Sequence, residues 1–385
     1  MKLSIFDIIL CVLLFLIINT NSILQWVVIP GFGGILAVIG TVTLFVNKDK
    51  ISKKNILTAP IFLWAILMLY HAINVYLLGL NQIFDEWFSF SGYYNQVLVL
   101  IIIPYLYQKN KNITFVTTIL AFYFFLFTIN KFSEIDDGSG RLNGFLYTTQ
   151  IGQLSGFACI LISLYIVLLK KRSYYCLLYV FPISIALLTQ SRNALFPIMF
   201  SALIFAYKNL VKLRFWYIII YVVLAIIGYN YLRTTDLFNR ASESSVEGIW
   251  ETGTILDYIF GDRALYYVMG YMNFLDSPLT GIGLYNFMDY NKFTYPLHGE
   301  FVSHWVEGGL IGASLYLSFV YQFIKYLKKG YSIYNIELNV MIFSFATIII
   351  LGFTTREYPF VFFFVVYGII LGYINERINK QEIIK

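Results

Sequence analysis

The sequence predicts an all-α, polytopic membrane protein with about 12 transmembrane helices. Hydrophobic residues make up 59% of its 385 residues, and charged residues only 12%. A soluble domain has about a quarter of its residues charged, because it must cover its surface with them. The mean hydropathy is +0.72. The outer surface of this protein is therefore expected to face lipid.

Apolar segments of spanning length recur along the whole chain. A helix that crosses the hydrocarbon core needs about 20 mostly apolar residues. The first segment is not followed by a small-residue cleavage site, so we expect a retained helix rather than a signal peptide. The fourth is short and contains Pro104. The predicted spans are residues 4–20, 23–46, 57–80, 94–107, 113–130, 151–169, 174–190, 194–208, 215–232, 304–324, 337–354 and 359–375.

Lysine and arginine residues set the predicted orientation. If the N-terminus is inside and the spans alternate, every inside segment is basic, and together these hold 19 of the 27 Lys and Arg residues. Basic loops stay on the cytoplasmic side. Both termini are thus predicted to be cytoplasmic, in a multi-pass protein of the plasma (inner) membrane. Residues 1–385 form a single predicted transmembrane domain, and one large extracytoplasmic loop, residues 233–303, joins spans 9 and 10.

The two sides differ in the type of basic residue. Inside, 16 lysines accompany 3 arginines; outside, 6 arginines accompany 2 lysines. Arginine has a planar set of five donors suited to carboxylate and phosphate oxygens. The outer arginines therefore indicate an anionic ligand there, although pairing with outer acidic residues is the alternative for any one of them.

Four polar motifs fall on the predicted outer side. Juxtamembrane charges are costly, which favours a functional role for arginines placed there. Glycines allow a close approach of the backbone to a ligand. A helix led by Arg263 is expected to end at Asp276-Ser277-Pro278. The motifs are residues 140–150 with Arg141, residues 189–193 with Arg192, residues 261–283 with Arg263, and residues 298–312 with His298.

Two of the chain's three histidines lie in the last motif. A histidine beside a carboxylate can act as a general base, and we favour this role for His298. If a helix begins at His304, then Glu307 lies three residues on and shares its face, but an anchor at the lipid headgroups is favoured for His304. His71, in the middle of the third span, is expected to be a hydrogen-bonded packing residue.

Metal and nucleotide sites are not predicted. The sequence has no HExxH, CxxC or Walker pattern, which are the patterns typical of zinc and nucleotide binding. The three cysteines lie in apolar runs and are expected to be packing residues. We therefore predict neither a metal nor another cofactor, and no contact with nucleic acid.

Taken in order, the four motifs resemble those of the O-antigen ligase / polysaccharide polymerase (Wzy-type) membrane protein family. That family's C-terminal signature is similar to an Arg-led helix, a Pro-Leu-Thr-Gly-Ile-Gly turn, a His-Asn pair, and Glu-x-Gly-Leu-Ile-Gly entering a helix. Here these correspond to Arg263, residues 278–283, His298 and residues 307–312. The family's asparagine after the histidine is replaced by Gly299, which removes a hydrogen-bonding side chain.

The resemblance implies glycosyl transfer outside the membrane from an undecaprenyl-diphosphate-linked sugar donor, by a metal-independent glycosyltransferase. Fixed arginines can stabilise the charge that develops on a diphosphate leaving group. The predicted catalytic residues are Arg192, Arg263, His298 as base and Glu307 as its orienter. The predicted substrate-binding residues are Arg141, Arg356, Tyr267, Gly283, Asn286, Glu300 and His304.

The leading interpretation is a polymerase of capsular polysaccharide, exopolysaccharide or O-antigen repeat units. Its partners would be membrane lipid and a lipid-linked oligosaccharide, with a chain-length regulator and a flippase as further candidates. The main alternative is a ligase of the same superfamily. A flippase or transporter is less favoured, because the charges concentrate in outer loops and no related halves with paired broken helices are evident.

Overall fold

Helices account for all the regular structure in the described part of the computed structural model. The structure describes residues 3–20, 23, 32–52, 56–80, 87–129, 148–189, 197–202, 204, 264–284, 286–291, 297, 299–329, 336–354 and 361–384. The helices are α1 (Ile5–Ile18), α2 (Phe32–Val46), α3 (Lys48–Ser52), α4 (Ala59–Leu77), α5 (Trp87–Lys109), α6 (Lys111–Ile129), α7 (Thr148–Leu168), a 3-10 helix (Ser173–Tyr179), α8 (Val180–Thr189), α9 (Ala264–Asp276), α10 (Asn286–Asn291), α11 (Glu300–Lys329), α12 (Ile336–Thr354) and α13 (Val361–Ile384).

Five helices in this part of the chain are long and apolar enough to cross a membrane. They lie at Ala59–Leu77, Lys111–Thr128, Ile151–Leu168, Glu300–Lys329 and Val361–Asn379. Shorter apolar helices lie at Ile5–Ile18, Phe32–Val46, Tyr174–Thr189 and Glu337–Ile349. The protein is thus all-helical over its described residues and has the helices of a multi-pass membrane protein. The twelve-span count and the orientation remain predictions, since the ninth predicted span lies outside the described residues.

The exposure pattern of α4 is the inverse of that of a helix in a soluble protein. Its exposed side chains are apolar and recur at helical spacing: Phe62, Ile66, Leu69 and Ile73. Its buried face carries polar side chains near its C-terminal end, among them His71 and Asn74. Polar groups inside and apolar groups outside are what lipid as the surrounding solvent requires.

The described residues belong to two compact units. The first comprises Met1–Ala121, Trp250–Leu338 and Ile348–Lys385, and the second comprises Phe122–Ile249 and Asn339–Thr347. In the first unit α4 packs on α11 and α5, while α5 also packs on α2 and α13. The described residues of the candidate site all lie in this first unit.

The start of α1 is fixed by a capping box. The Ser4 hydroxyl accepts a hydrogen bond from the Asp7 amide, and the Asp7 carboxylate accepts from the Ser4 amide. These bonds satisfy donors that the first helical turn leaves without partners. Tyr105 of α5 also donates to Asp7, at 3.1 Å, so the cap is tied to the neighbouring helix.

Two glycines allow α13 to pack closely on α5. A Cβ on Gly368 would lie 2.9 Å from Cβ of Ile103, and a Cβ on Gly372 would lie 2.8 Å from Cβ of Tyr107. The two glycines are four residues apart and therefore share a helix face. Small residues at this spacing are a common way for membrane helices to approach one another.

The second unit contains α7, the 3-10 helix and α8, which pack together. The Ser163 hydroxyl is 2.7 Å from the Tyr179 hydroxyl and also donates to the carbonyl of Cys159. Tyr123, in the second half of α6, donates to the carbonyl of Leu178. These tyrosines satisfy polar groups of the unit that lipid could not.

Candidate functional site

The helix α11 is broken at Gly309, whose φ of 63° and ψ of −161° are not helical. In a continuous helix the carbonyls of Val306 and Glu307 would accept from amides four residues further on. Here the Val306 carbonyl accepts from the Ile282 amide at 3.2 Å, and the Glu307 carbonyl accepts from the Gly283 amide at 3.0 Å. The loop 278–283 therefore supplies the missing donors.

The amides on the other side of the break are satisfied by the same loop. Leu310 donates to the carbonyl of Pro278 at 2.9 Å, and Ile311 donates to the carbonyl of Leu279 at 3.2 Å. Four backbone groups that a broken helix would leave unpaired thus all have partners, which an apolar environment demands. We call the loop 278–283 together with residues 306–311 the helix-break clasp.

Glycines make the clasp sterically possible. A Cβ on Gly281 would overlap the backbone of Glu307 and the amide of Gly309, and a Cβ on Gly309 would overlap the carbonyl of Leu279. Both glycines also have positive φ, 72° and 63°. Only glycine adopts such backbone conformations without strain while leaving room for another backbone.

Two further glycines of α11 leave room for the side chain of His71 of α4 beside the helix break. A Cβ on Gly308 would lie 2.8 Å from Cε1 of His71, and a Cβ on Gly312 would lie 3.5 Å from the same atom. The imidazole of His71 therefore rests against the glycine surface of α11. This contact places a buried polar side chain beside the broken backbone.

Tyr70 and Asn74 of α4 also contact the clasp. The Tyr70 hydroxyl is within hydrogen-bond distance of the carbonyls of Gly308, at 2.7 Å, and Thr280, at 3.1 Å. The Asn74 amide donates to the carbonyl of Thr280 at 2.7 Å and to that of Glu307 at 3.4 Å. Thus α4 contacts both the loop and the helix end through side-chain donors.

A chain of hydrogen bonds joins Glu300, His304 and His71. Oε1 of Glu300 is 2.9 Å from Nε2 of His304, and Nδ1 of His304 is 2.8 Å from Nε2 of His71. A Glu300 carboxylate can only accept, so Nε2 of His304 carries the proton of that bond. In a neutral His304, Nδ1 then accepts the N–H of His71. We call these three residues the buried chain.

The surroundings of the buried chain are aromatic. Glu300, His304 and His71 are each 1% exposed, so water does not reach them in this conformation. The ring of Tyr316 stacks on His304 at a centroid distance of 4.9 Å, and Trp64 meets it edge-on at 6.0 Å. A carboxyl group in such surroundings needs hydrogen-bond partners, because a bare buried charge is costly.

The helix α9 packs against the first segment of α11. A Cβ on Gly270 would lie 3.1 Å from the side chain of Val306 and 3.4 Å from that of Leu297. The ring of Phe274 lies 4.8 Å from that of Trp305. The helix that follows position 263 in sequence therefore contacts the helix that follows position 298.

Gly299 shows why the residue type after the predicted base matters. Its φ is 93°, in the region that L-residues rarely adopt and that glycine, followed by asparagine, tolerates best. Its carbonyl accepts from the Ser303 amide and hydroxyl, at 2.9 and 2.8 Å. Replacement of the family's asparagine by glycine is therefore compatible with this backbone conformation.

Several predicted site residues lie outside the described part of the chain. They are His298, Arg263, Arg192, Arg141 and Arg356. Their flanking elements are described in three cases: α9 begins directly after position 263, α8 ends at Thr189, and Leu297 and Gly299 are both buried. Their predicted roles remain predictions.

Six other predicted site residues are described. Glu300, His304 and Glu307 are buried in α11, while Tyr267 lies half-buried on α9, Gly283 is buried in the clasp, and Asn286 is half-buried at the start of α10. The Asn286 side-chain amide donates to the carbonyl of Ile282 at 2.8 Å. Because α11 begins at Glu300 and not at His304, the carboxylate bonded to His304 is Glu300, four residues before it.

Sequence reasoning missed Tyr70 and Asn74 and gave His71 only a packing role. The available signal was that three polar residues fall within five positions of an otherwise apolar span. Polar side chains in such a span are expected to face the protein interior.

Among the described residues, no group of three His, Cys, Asp or Glu side chains is arranged to hold a metal ion.

Comparison with known proteins finds a family match over part of the chain. Residues 177–317, a little over a third of the chain, match the family model described as O-antigen ligase. The matched segment contains α9, the whole helix-break clasp, and Glu300 and His304 of the buried chain. No curated protein matches the sequence. The family match supports the assignment of this chain to the O-antigen ligase and polymerase type of membrane protein.

Proposed function

We propose that this protein is a polymerase that joins oligosaccharide repeat units of a surface polysaccharide on the outer face of the plasma membrane. The units are carried on undecaprenyl diphosphate, and the product is an O-antigen, a capsule or an exopolysaccharide. The family match supports glycosyltransferase-like activity on lipid-linked oligosaccharides. The polymerase reaction, its donor and its side of the membrane are our proposal.

The helix-break clasp is the observation that carries this proposal. Its four backbone hydrogen bonds join residues 278–283 to residues 306–311, and both segments lie within the family match. The clasp fixes the end of α9 against the break in α11. Arg263 directly precedes α9, and His298 lies two residues before α11. This arrangement supports a site to which both segments contribute.

The proposed reaction is a displacement at the anomeric carbon of the donor. An acceptor hydroxyl on the incoming repeat unit attacks that carbon, and a new glycosidic C–O bond forms. The bond from the anomeric carbon to the diphosphate oxygen breaks, and the lipid diphosphate leaves with the electron pair. The proton of the acceptor hydroxyl passes to His298, which acts as general base.

Arginines take the charge of the leaving group in this proposal. We assign Arg192 and Arg263 to the diphosphate, since guanidinium groups keep their charge when partly desolvated and bind two phosphate oxygens at once. No metal ion is required in this scheme. Arg141 and Arg356, with Tyr267, Gly283 and Asn286, are proposed to bind the saccharides. Glu307 is proposed to orient His298.

A ligase that transfers finished glycan to another acceptor is the second candidate. The description of the matching family model names a ligase, and both reactions need the same leaving group and the same kind of base. They differ in the saccharide that accumulates when the protein is absent. Without a polymerase, single repeat units remain on the carrier; without a ligase, long polymer remains on it. A chain-length regulator and a flippase are proposed partners of the polymerase only.

The proposal is tested by complementing a deletion strain with variants of the two central residues. We expect His298→Ala and Arg263→Ala to be present in the membrane at wild-type amounts but to restore no polymer. Arg172→Ala is the matched control, because Arg172 directly precedes the 3-10 helix on the predicted cytoplasmic side, and it should restore polymer fully. Full polymer with either site variant would remove that residue from the mechanism.

A further inference from the structure

The buried chain of Glu300, His304 and His71 crosses between two helices at the point where the candidate site begins. Glu300 is the first residue of α11, and His71 lies in α4. The two bonds are 2.9 and 2.8 Å long, and all three residues are 1% exposed. Three ionisable groups in one apolar interior need a reason beyond packing, since each is costly to bury.

The buried chain is not placed to touch a saccharide. Both ring nitrogens of His304 are bonded to protein, and aromatic rings of Trp64 and Tyr316 cover it. Its effect must therefore be exerted through the backbone that it holds. That backbone is the first turn of α11, which starts two residues after position 298.

Besides the buried chain, the first segment of α11 contacts α9 and the clasp. Gly299 directly before it has a φ of 93°, and the break at Gly309 interrupts the helix after nine residues. A short helical segment with a glycine at each end relies on side-chain contacts for its orientation. His304 supplies such a contact at the centre of the segment, through its bond to His71 of α4.

We propose that Glu300, His304 and His71 are positioning residues for the transfer reaction: their hydrogen-bonded chain fastens to α4 the first segment of α11, which follows His298 directly in sequence after Gly299. This inference rests on the proposed function. A base displaced by about 1 Å can lose about a hundredfold in rate. Loss of the buried chain is therefore expected to lower kcat, while the substrate affinity, which is set mainly by the arginines, is retained.

The test uses full-length protein in proteoliposomes and, as substrate, the lipid-linked saccharide extracted from cells that lack the gene. The first variant replaces all three residues of the buried chain by apolar ones: Glu300→Met, His304→Phe and His71→Phe together. Because both partners of each of these two bonds are removed together, neither bond leaves one partner behind without the other, and such replacements are often neutral or stabilising. The melting temperature should therefore stay at or above that of the wild type.

We expect this apolar variant to have a kcat reduced about tenfold to a hundredfold, with KM within about twofold of the wild type. Glu300→Gln keeps an acceptor oxygen for His304 and should retain most of the activity. Thr118→Val is the control, since it removes a buried hydroxyl that bonds only within its own helix. A folded apolar variant with wild-type kcat would overturn the inference, as would a loss of activity that merely follows the folded fraction.

If the apolar variant does not fold, Glu300→Ala and Glu300→Gln decide between the outcomes. A folded Glu300→Ala with low kcat, together with a Glu300→Gln near the wild type, supports positioning. Equal kcat in the two variants overturns it. Failure of the proposed function has a different signature: the deletion cells would then contain no lipid-linked repeat unit that the wild-type protein consumes.

Discussion

Gly281 and Gly309 lie back to back, so that each occupies the space where the side chain of the other would begin. A Cβ on Gly281 would lie 2.5 Å from the Gly309 amide nitrogen, and a Cβ on Gly309 would lie 2.6 Å from the Gly281 amide nitrogen. The two residues come from the clasp loop and from the break in α11. Their contact explains why both motifs are rich in glycine: the glycines bring two backbones together.

Substitution of either glycine is expected to destabilise the first unit. In Gly309→Ala the positive φ costs about 1–2 kcal/mol, and the overlap with the carbonyl of Leu279 adds about 1–3 kcal/mol. The thermal unfolding midpoint in detergent should fall, and less protein should reach the membrane. Gly79→Ala is a matched control, because Gly79 has a φ of 64° but nothing within 4 Å of its Cβ position. Equal melting temperatures for the two variants would show that the close backbone contact is unimportant.

The polar clamp from α4 gives a second prediction. In Asn74→Leu the carbonyl of Thr280 loses its 2.7 Å donor and keeps only the Tyr70 hydroxyl, at 3.1 Å, and a lost hydrogen bond costs about 0.5–1.5 kcal/mol. Tyr70→Phe removes the donor to the Gly308 carbonyl and should also lower the melting temperature, but by less. Tyr76→Phe serves as the control, because Tyr76 is 74% exposed. The measurement is again the melting temperature; no change in Asn74→Leu would mean that other contacts hold the clasp.

The sequence predicts well those parts of the fold that depend on local signals. The helix after Arg263 ends at Asp276 as expected, because Asp-Ser-Pro is a local stop signal. The span predicted over residues 304–324 is instead a helix from Glu300 with a break at Gly309. Local periodicity cannot reveal the break, since the hydrogen bonds that replace the helical ones come from a loop about thirty residues earlier.

The same limit applies to the candidate site. His71 and His304 are 233 positions apart in sequence, and neither has a local pattern that identifies the other. The glycines of the loop were expected to let backbone approach a ligand; Gly281 instead approaches α11. What local reasoning could predict was the set of motifs, because each depends on residue types within a few positions.

The predicted orientation can be tested by cysteine labelling. In a variant whose three cysteines are replaced by alanine, Asp276→Cys at the end of α9 should react with a membrane-impermeant maleimide in intact cells. Lys328→Cys, near the end of α11, should react only after permeabilisation. Both positions are exposed in the structure, so accessibility within the protein does not limit labelling. The reverse pattern would place the clasp on the cytoplasmic side and contradict the proposed outer-face reaction.

The central claim is tested most directly by the carrier-linked saccharides of cells that lack the gene, analysed by mass spectrometry after lipid extraction. We predict single repeat units on the lipid diphosphate, converted to polymer when the wild-type gene is restored but not when Arg263→Ala is supplied. Long polymer accumulating on the carrier would contradict polymerisation and identify a ligase. Absence of surface-exposed repeat units, with the units confined to the inner leaflet, would contradict glycosyl transfer and indicate a flippase.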